Sequence, residues 1–335
     1  MNTEAINRIS IVTPCFNEEG NVQELAIRIR QTMAGFSEYD YEHIFIDNAS
    51  IDDTVPRIKS LAAEDRRIKL IVNSRNFGHI RSPVHAILQA SGDAVIGMAS
   101  DLQDPPELIG EFIHAWEKGY KVVVAVKPQS RETWLMSRIR KAYYRAIGSI
   151  SNVRLIPDFT GFGLYDREVI ETIRGIDDPY PYFRGLISEL GYEYTTIPFE
   201  QPRRLRGITK NNFYTLYDLA MLGITSHSKV PVRLATMAGF ILGLLSLGMS
   251  FLYLILKLLF WDFFTVGTAP ILISLFFFAS VQLFFIGIIG EYVASIHTQV
   301  KKRPLVVEKE RVNFDVRQGG SSLNGADEPG FILKE

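Results

Sequence analysis

A single cysteine, Cys15, stands in 335 residues, so no intrachain disulfide can form and an oxidising compartment is not implied. The six histidines are scattered, which excludes zinc sites built from Cys/His clusters. Neither sign of charge is in excess, with 36 Lys and Arg against 37 Asp and Glu, so no bulk field argues for nucleic acid. No G-x-G-x-x-G follows the first apolar run and no G-x-x-x-x-G-K-[ST] occurs, which excludes the standard dinucleotide and P-loop phosphate sites. The amino-terminal MNTEAINRISIV lacks the basic-then-apolar design of a signal peptide, and its short apolar run reads as a strand.

What is abundant is apolar sequence, unevenly spread. Residues 234–256 form a stretch of 23 without a charge, and residues 269–290 another of 22. Each exceeds the ~20 residues needed to cross a bilayer core. Glycines at 239, 243, 248 and 287 suit membrane helix packing better than a pair of buried core helices. Lys229 and Arg233 precede the first stretch, and Lys301, Lys302 and Arg303 follow the second. By the positive-inside rule both termini and the large amino-terminal domain are expected in the cytoplasm of a bacterial inner membrane, with the connector near Trp261 outside.

Residues 1–202 read as a soluble α/β domain. Apolar runs at 8–14, 43–47, 68–73, 94–99 and 121–126 alternate with helical patterns, the first carrying Val22, Leu25, Ile29 and Met33 at helical spacing. Near-continuous apolar strands separated by helices predict a mostly parallel sheet covered on both faces. Ligands bind such sheets beyond the strands' carboxyl ends. The polar groups 14–18, 47–50, 73–79 and 100–104 all fall there, so they are expected to converge on one crevice.

These groups have a familiar form. Ser10–Glu19 (SIVTPCFNEE), Ile46–Thr54 (IDNASIDDT) and Ser100–Glu107 (SDLQDPPE) resemble the inverting family 2 glycosyltransferases of GT-A, Rossmann-like fold. Arg75–His79 (RNFGH), Thr160–Arg167 (TGFGLYDR) and two apolar stretches narrow the resemblance to polyisoprenyl-phosphate glycosyltransferases, the group of bactoprenol glucosyltransferases and dolichol-phosphate mannose synthases. It covers about residues 8–300. It implies transfer of a sugar from a nucleotide sugar to the phosphate of a membrane polyprenol, with inversion and release of nucleoside diphosphate.

The resemblance also implies roles. Pro14, Phe16, Glu18, Asp47, Asn48, Asn76 and Ser100 would contact the donor. Asn48 replaces the second Asp of the usual Asp-Asp-x-Ser pattern, and its oxygen can still accept a base N–H. Asp47 could instead cap the helix starting near Asp52. Asp101 matches the carboxylate that meets a divalent ion, Mg²⁺ or Mn²⁺. Ala99 replaces the first carboxylate of the Asp-x-Asp pair, and Gln103 is expected to join the site. Asp104 is expected to cap the helix after Pro105-Pro106. Asp158 matches the region supplying a candidate base, or it orients the acceptor. Lys127, Arg131, Arg203, Arg206 and Lys210 are the candidate phosphate ligands, with 203–210 also a basic stripe suited to anionic lipid.

The remaining expectations concern layout and rivals. Residues 203–230 read as a basic loop and interfacial helix, 231–298 as the two spans, and 299–335 as a cytoplasmic tail. From 305 onward the tail is expected to be mobile except around 305–307. UDP-glucose and undecaprenyl phosphate are the preferred substrates, with N-acetylglucosamine, amino-arabinose and mannose donors as alternatives, and a homo-oligomer is a further expectation. A processive synthase is excluded by the absence of Gln-x-x-Arg-Trp. A non-catalytic nucleotide-sugar sensor or scaffold is the rival from another class.

Overall fold

The computed structural model describes residues 7–127, 156–157, 159–202, 221–223, 225, 230–260 and 267–314. Asp158, Arg131, Arg203, Arg206 and Lys210 lie outside them, as do the first residues of the expected interfacial helix.

Eight strands form one sheet in the order β7-β5-β6-β4-β1-β2-β3-β8. At its centre β1 (Arg8–Cys15) pairs in parallel with β2 (Asp40–Asp47) and with β4 (Ala94–Gly97), and β2 pairs in parallel with β3 (Ile68–Asn73). The cause is visible in the residues: Ile9, Ile11, Ile44, Phe45, Ile46 and Leu70 are fully buried, and each such side chain contributes about 1.5–3 kcal/mol. Only a sheet covered on both faces buries consecutive residues this way.

Two layers provide the cover. One face packs on α1 (Val22–Met33), α2 (Thr54–Glu64) and α4 (Ile109–Glu117). The other packs on α3 (Gly78–Gln89), α5 (Arg167–Ile176) and α6 (Phe183–Leu190). Val22, Leu25, Ile29 and Met33 are all buried, as their spacing requires.

Among the first seven strands one runs against the rest. The TGFGLYDR stretch lies in β6 (Phe159–Asp166), antiparallel to both β4 and β5 (Val122–Val126), while β7 (Tyr194–Pro198) pairs in parallel with β5. Gly163 permits this insertion, because a Cβ there would stand 2.4 Å from the Val123 carbonyl oxygen. The fourth strand also stops two residues earlier than its apolar run. Met98 N still donates to Val12 O at 3.0 Å, but Ala99 N turns to the Asp104 carboxylate.

The expected mobility beyond residue 307 is corrected. Glu308–Val312 forms β8, antiparallel to β3 at the sheet edge. Its anchors are polar: Lys59 to Glu310 at 2.7 Å, Arg311 to Gln89 at 2.8 Å, and Asn313 Nδ2 to the Ala62 and Ile68 carbonyls. An edge strand faces water on one side and needs no apolar run, so hydropathy does not mark it.

Between β7 and β8 stand α7 (Val230–Leu259) and α8 (Thr268–Val300). Both are long and apolar enough to cross a membrane, and their apolar windows, Val230–Met249 and Phe277–Val300, are 0% buried. Core helices of a soluble domain would bury such surface; here Phe240 and Leu283 are 68% and 69% exposed.

Candidate active site

The loops after β1, β2, β3 and β4 all leave the same sheet edge, as the parallel pairing dictates. The first two zip together. Asn17, at φ 56°, donates its N–H to Ser50 Oγ at 2.8 Å, and its Oδ1 accepts from Ile51 N at 2.9 Å. Glu18 N donates to Thr54 Oγ1 at 2.8 Å, and the Glu18 carboxylate accepts from Asn21 Nδ2 at 2.6 Å. Glu18 therefore braces the start of α1, with Pro14 and Phe16 half-buried beside it.

Asp47 is fully buried and accepts from Ser50 N at 2.9 Å and from Ser50 Oγ. Burial pushes its carboxyl up, against the hydrogen bonds from Ser50 and Ala49. It does not cap α2. The cap position is Asp53, without a side-chain bond of its own, and Asp52 before it accepts through Oδ1 from Thr54 N and Thr54 Oγ1 at 3.1 and 2.6 Å.

Asn48 departs from its expected role. Its Oδ1 accepts from Asn73 Nδ2 at 3.1 Å and Phe77 N at 2.8 Å, while its Nδ2 donates to Asn76 Oδ1 at 2.9 Å and Gly78 O at 3.2 Å. Two accepted and two donated bonds exhaust the amide, so no lone pair is left for a base N–H. Asn48 instead ties the β2 loop to the β3 loop. Asn76 closes the same network by accepting from Gly78 N at 2.8 Å, where φ is 84° and glycine is favoured.

The β4 loop carries Ser100, Asp101, Gln103 and Asp104. Asp101 is 7% exposed, and its Oδ1 accepts from Gln103 N at 3.1 Å. Asp104 is corrected from helix cap to loop brace: its Oδ2 accepts from Ala99 N at 2.8 Å, and the following helical turn has Pro105 at its cap. Burial pushes the Asp104 carboxyl up to about 6, with the Asp101 charge adding to the shift. Gln103 Nε2 reaches Pro202 O at 3.4 Å, and Lys127 Nζ donates to Gln201 Oε1 at 2.5 Å. The chain therefore enters the basic stretch at 203 from a point bonded to this loop.

A divalent ion tests the donor set. No group of three His, Cys, Asp or Glu suited to a metal occurs among the described residues. Asp101 and Gln103 offer hard oxygens of the chemistry that Mg²⁺ and Mn²⁺ prefer. They fit an ion that takes its other oxygens from a bound diphosphate and water.

Beside the loop lies a cavity of about 370 Å³ between α3 and α6, reached by His79, Val84, Ala99, Asp104, Phe183 and Arg184. The sequence reading missed it. Its one signal was Arg184, a lone cation directly after the Pro-Tyr-Pro-Tyr-Phe run.

A mostly parallel sheet with four polar loops gathered at one edge defines a GT-A glycosyltransferase fold. Residues 10–174 match the profile of glycosyl transferase family 2. The chain is 35% identical over 298 residues to an uncharacterized glycosyltransferase of Synechocystis sp., covering 89% of this chain and 93% of that one. It is 33% identical over 307 residues to a bactoprenol glucosyl transferase of Shigella phage SfII, covering 90% and 98%. A solved mannosyltransferase from Pyrobaculum calidifontis, in complex with GDP-Man and Mn²⁺, aligns with a TM-score of 0.45 at 16% identity over 89% of this chain and 88% of that one. The chain belongs to glycosyl transferase family 2 and is a glycosyltransferase.

Proposed function

We propose that this enzyme transfers a sugar, with inversion, from a nucleotide sugar to the phosphate of a membrane polyprenol such as undecaprenyl phosphate. The carrying observation is the span of the similarity to bactoprenol glucosyl transferase. It takes in 98% of that protein and so extends past the family domain over the two apolar helices. UDP-glucose is the donor this similarity favours. The two apolar helices support a seat in the bacterial inner membrane, and the catalytic domain is assigned to the cytoplasmic side, where nucleotide sugars are made.

The chemistry asks little of a base. A phosphate acceptor is already anionic at neutral pH, so what the site must supply is alignment for in-line attack and stabilisation of the leaving diphosphate. Asp101 and Gln103 would hold Mg²⁺ or Mn²⁺, which supplies neutralising charge to the diphosphate when bound. Pro14, Phe16, Glu18, Asp47, Asn76 and Ser100 form or brace the donor side of the crevice. Asn48 acts there through the loops it ties. Lys127, Arg131, Arg203, Arg206 and Lys210 are proposed as phosphate ligands, and Asp158 as the acceptor-orienting carboxylate or base.

The test is a transfer assay in membranes containing the full chain, with radiolabelled UDP-glucose, UDP-N-acetylglucosamine, a UDP-amino-arabinose and GDP-mannose, a divalent ion and polyprenyl phosphate. The expected product is a lipid-extractable glucose label that disappears on chelation. Donor binding without transfer of any sugar would overturn the reading.

A further inference from the structure

We propose that the cavity between α3 and α6 receives the phosphate and first apolar carbons of the acceptor, with Arg184 as its cationic ligand and the His79 imidazole as a hydrogen-bond donor beside it. This rests on the polyprenyl-phosphate reading above and adds the acceptor's seat.

The cavity is of a size, about 370 Å³, within the range of roughly 300–1,000 Å³ usual for small-ligand pockets. Its walls are apolar: Pro83, Val84 and Ile87 from α3, with Phe162 and Phe183 opposite. A sugar or nucleoside there would bury hydroxyls against carbon with few partners, which is costly. A prenyl chain meets no such cost. Met98, Ala99 and Asp104 are also in the lining, so an occupant reaches the loop that carries Asp101.

Two further lining residues, His79 and Arg184, suit a phosphate. Arg184 is half-buried; His79 is open to solvent as a residue, but its ring is partly desolvated against the protein, and that desolvation together with the nearby Arg184 charge lowers the imidazole's pKa. Among the described residues neither pairs with a carboxylate. Arg184 makes one long bond, 3.4 Å to Phe159 O, and its guanidinium lies 5.6 Å from the Tyr182 ring. Both stand in the first turn of a helix, and neither first turn has an acid. The Arg184 cation at the positive end of a helix dipole is disfavoured until an anion joins it. Among the described residues the cavity's one carboxylate, Asp104, is buried and bonded to Ala99 N at 2.8 Å.

The location fits a lipid. Val84 and Pro181 line both this cavity and a second of about 190 Å³, which is closed by Lys302, Arg303, Pro304 and Leu305. Those four residues directly follow the end of α8. The acceptor's seat thus lies next to a cavity that reaches the base of the helix proposed to span the membrane.

The test uses the full-length enzyme in lipid nanodiscs, titrating polyprenyl phosphate at saturating nucleotide sugar and then the reverse. Arg184→Ala is expected to raise the KM for polyprenyl phosphate about tenfold or more, as loss of a charge-assisted contact does, while the KM for the nucleotide sugar stays within about twofold. Arg184→Lys is expected to recover part of the loss. His79→Gln, at an exposed position that tolerates substitution, gives a smaller rise in the same constant and carries the test should Arg184→Ala fail to fold. Val84→Trp, which fills the cavity, is expected to act on the acceptor KM alone. An unchanged acceptor KM in the Arg184 and His79 variants, or a rise confined to the nucleotide-sugar KM, overturns the assignment. A wild-type enzyme that glycosylates no polyprenyl phosphate would instead overturn the proposed function itself.

Discussion

Two loops leave the same sheet edge with a buried acid each, Asp47 after β2 and Asp101 after β4. Each also bends at a non-glycine residue of positive φ, Ala49 at 63° and Leu102 at 61°. Such a conformation costs about 1–2 kcal/mol for an L-residue, which the burial of the Leu102 side chain to 4% exposure is large enough to offset. The resemblance stops there. The β2 loop spends its polar atoms on itself and on its neighbour, Asp47 on Ser50 and Asn48 on Asn73, Asn76, Phe77 and Gly78. In the β4 loop Asp104 shares the bracing, taking Ala99 N while Asp101 takes Gln103 N through Oδ1 alone. The proposed metal role of Asp101 thus asks of one acid in this loop what the β2 loop's acid is not asked to do.

Substitutions should separate the two. Asp101→Asn is expected to lower transfer about a thousandfold, the scale of a lost transition-state charge stabiliser, with little change in thermal midpoint. A full rate would dissolve the contrast. Asn48→Ala should do the reverse, costing about 3 kcal/mol because Asn73 Nδ2 and Phe77 N lose their acceptor. Denaturant unfolding checks it, and a loss of nucleotide affinity without loss of stability would make Asn48 a base reader after all.

The strand under the β2 loop gives a pH signature. His43 on β2 is 1% exposed, and burial pushes its imidazole down from 6.5 to about 3, with Thr13 Oγ1 3.0 Å away. The unfolded chain binds that proton below about pH 6.5 and the folded one does not until about pH 3, so stability is full above 6.5 and falls as pH drops through that window. Between pH 6.5 and about pH 5 the loss should be about 2 kcal/mol, and His43→Gln should flatten it in acid titrations followed by circular dichroism. Ala99→Asp is the mildest case. It should change stability by less than about 1 kcal/mol yet tighten divalent-ion binding in the absence of nucleotide, measured by calorimetry.

How much of this was legible in the sequence follows from what each element needs. Strands β1 to β5 declared themselves because a two-sided core demands unbroken apolar runs, and the polar clusters at their ends had to meet once the strands were parallel. β6 was visible as a motif, but its antiparallel insertion depends on a glycine's contact with Val123, which no local pattern reports. β8 was hidden because salt bridges hold it. The roles of Asn48 and Asp104 turned on partners 25 to 30 residues away for one and a backbone N–H five residues back for the other; residue type alone permits several such partners. The cavity joins α3 to α6 across about 100 residues and is a product of folding alone.

The strand β8 has a mechanical consequence. The chain leaves the sheet after β7, at one rim, and rejoins it through β8 at the opposite rim, with α7 and α8 in between. A body held at one point can swivel freely about it. One held at two separated points keeps a single rocking axis. At the β8 rim the attachment is short: α8 ends at Val300, β8 begins at Glu308, and Val307 O between them accepts from Ser74 N at 2.9 Å, so this end of the helix pair is tied to the loop after β3.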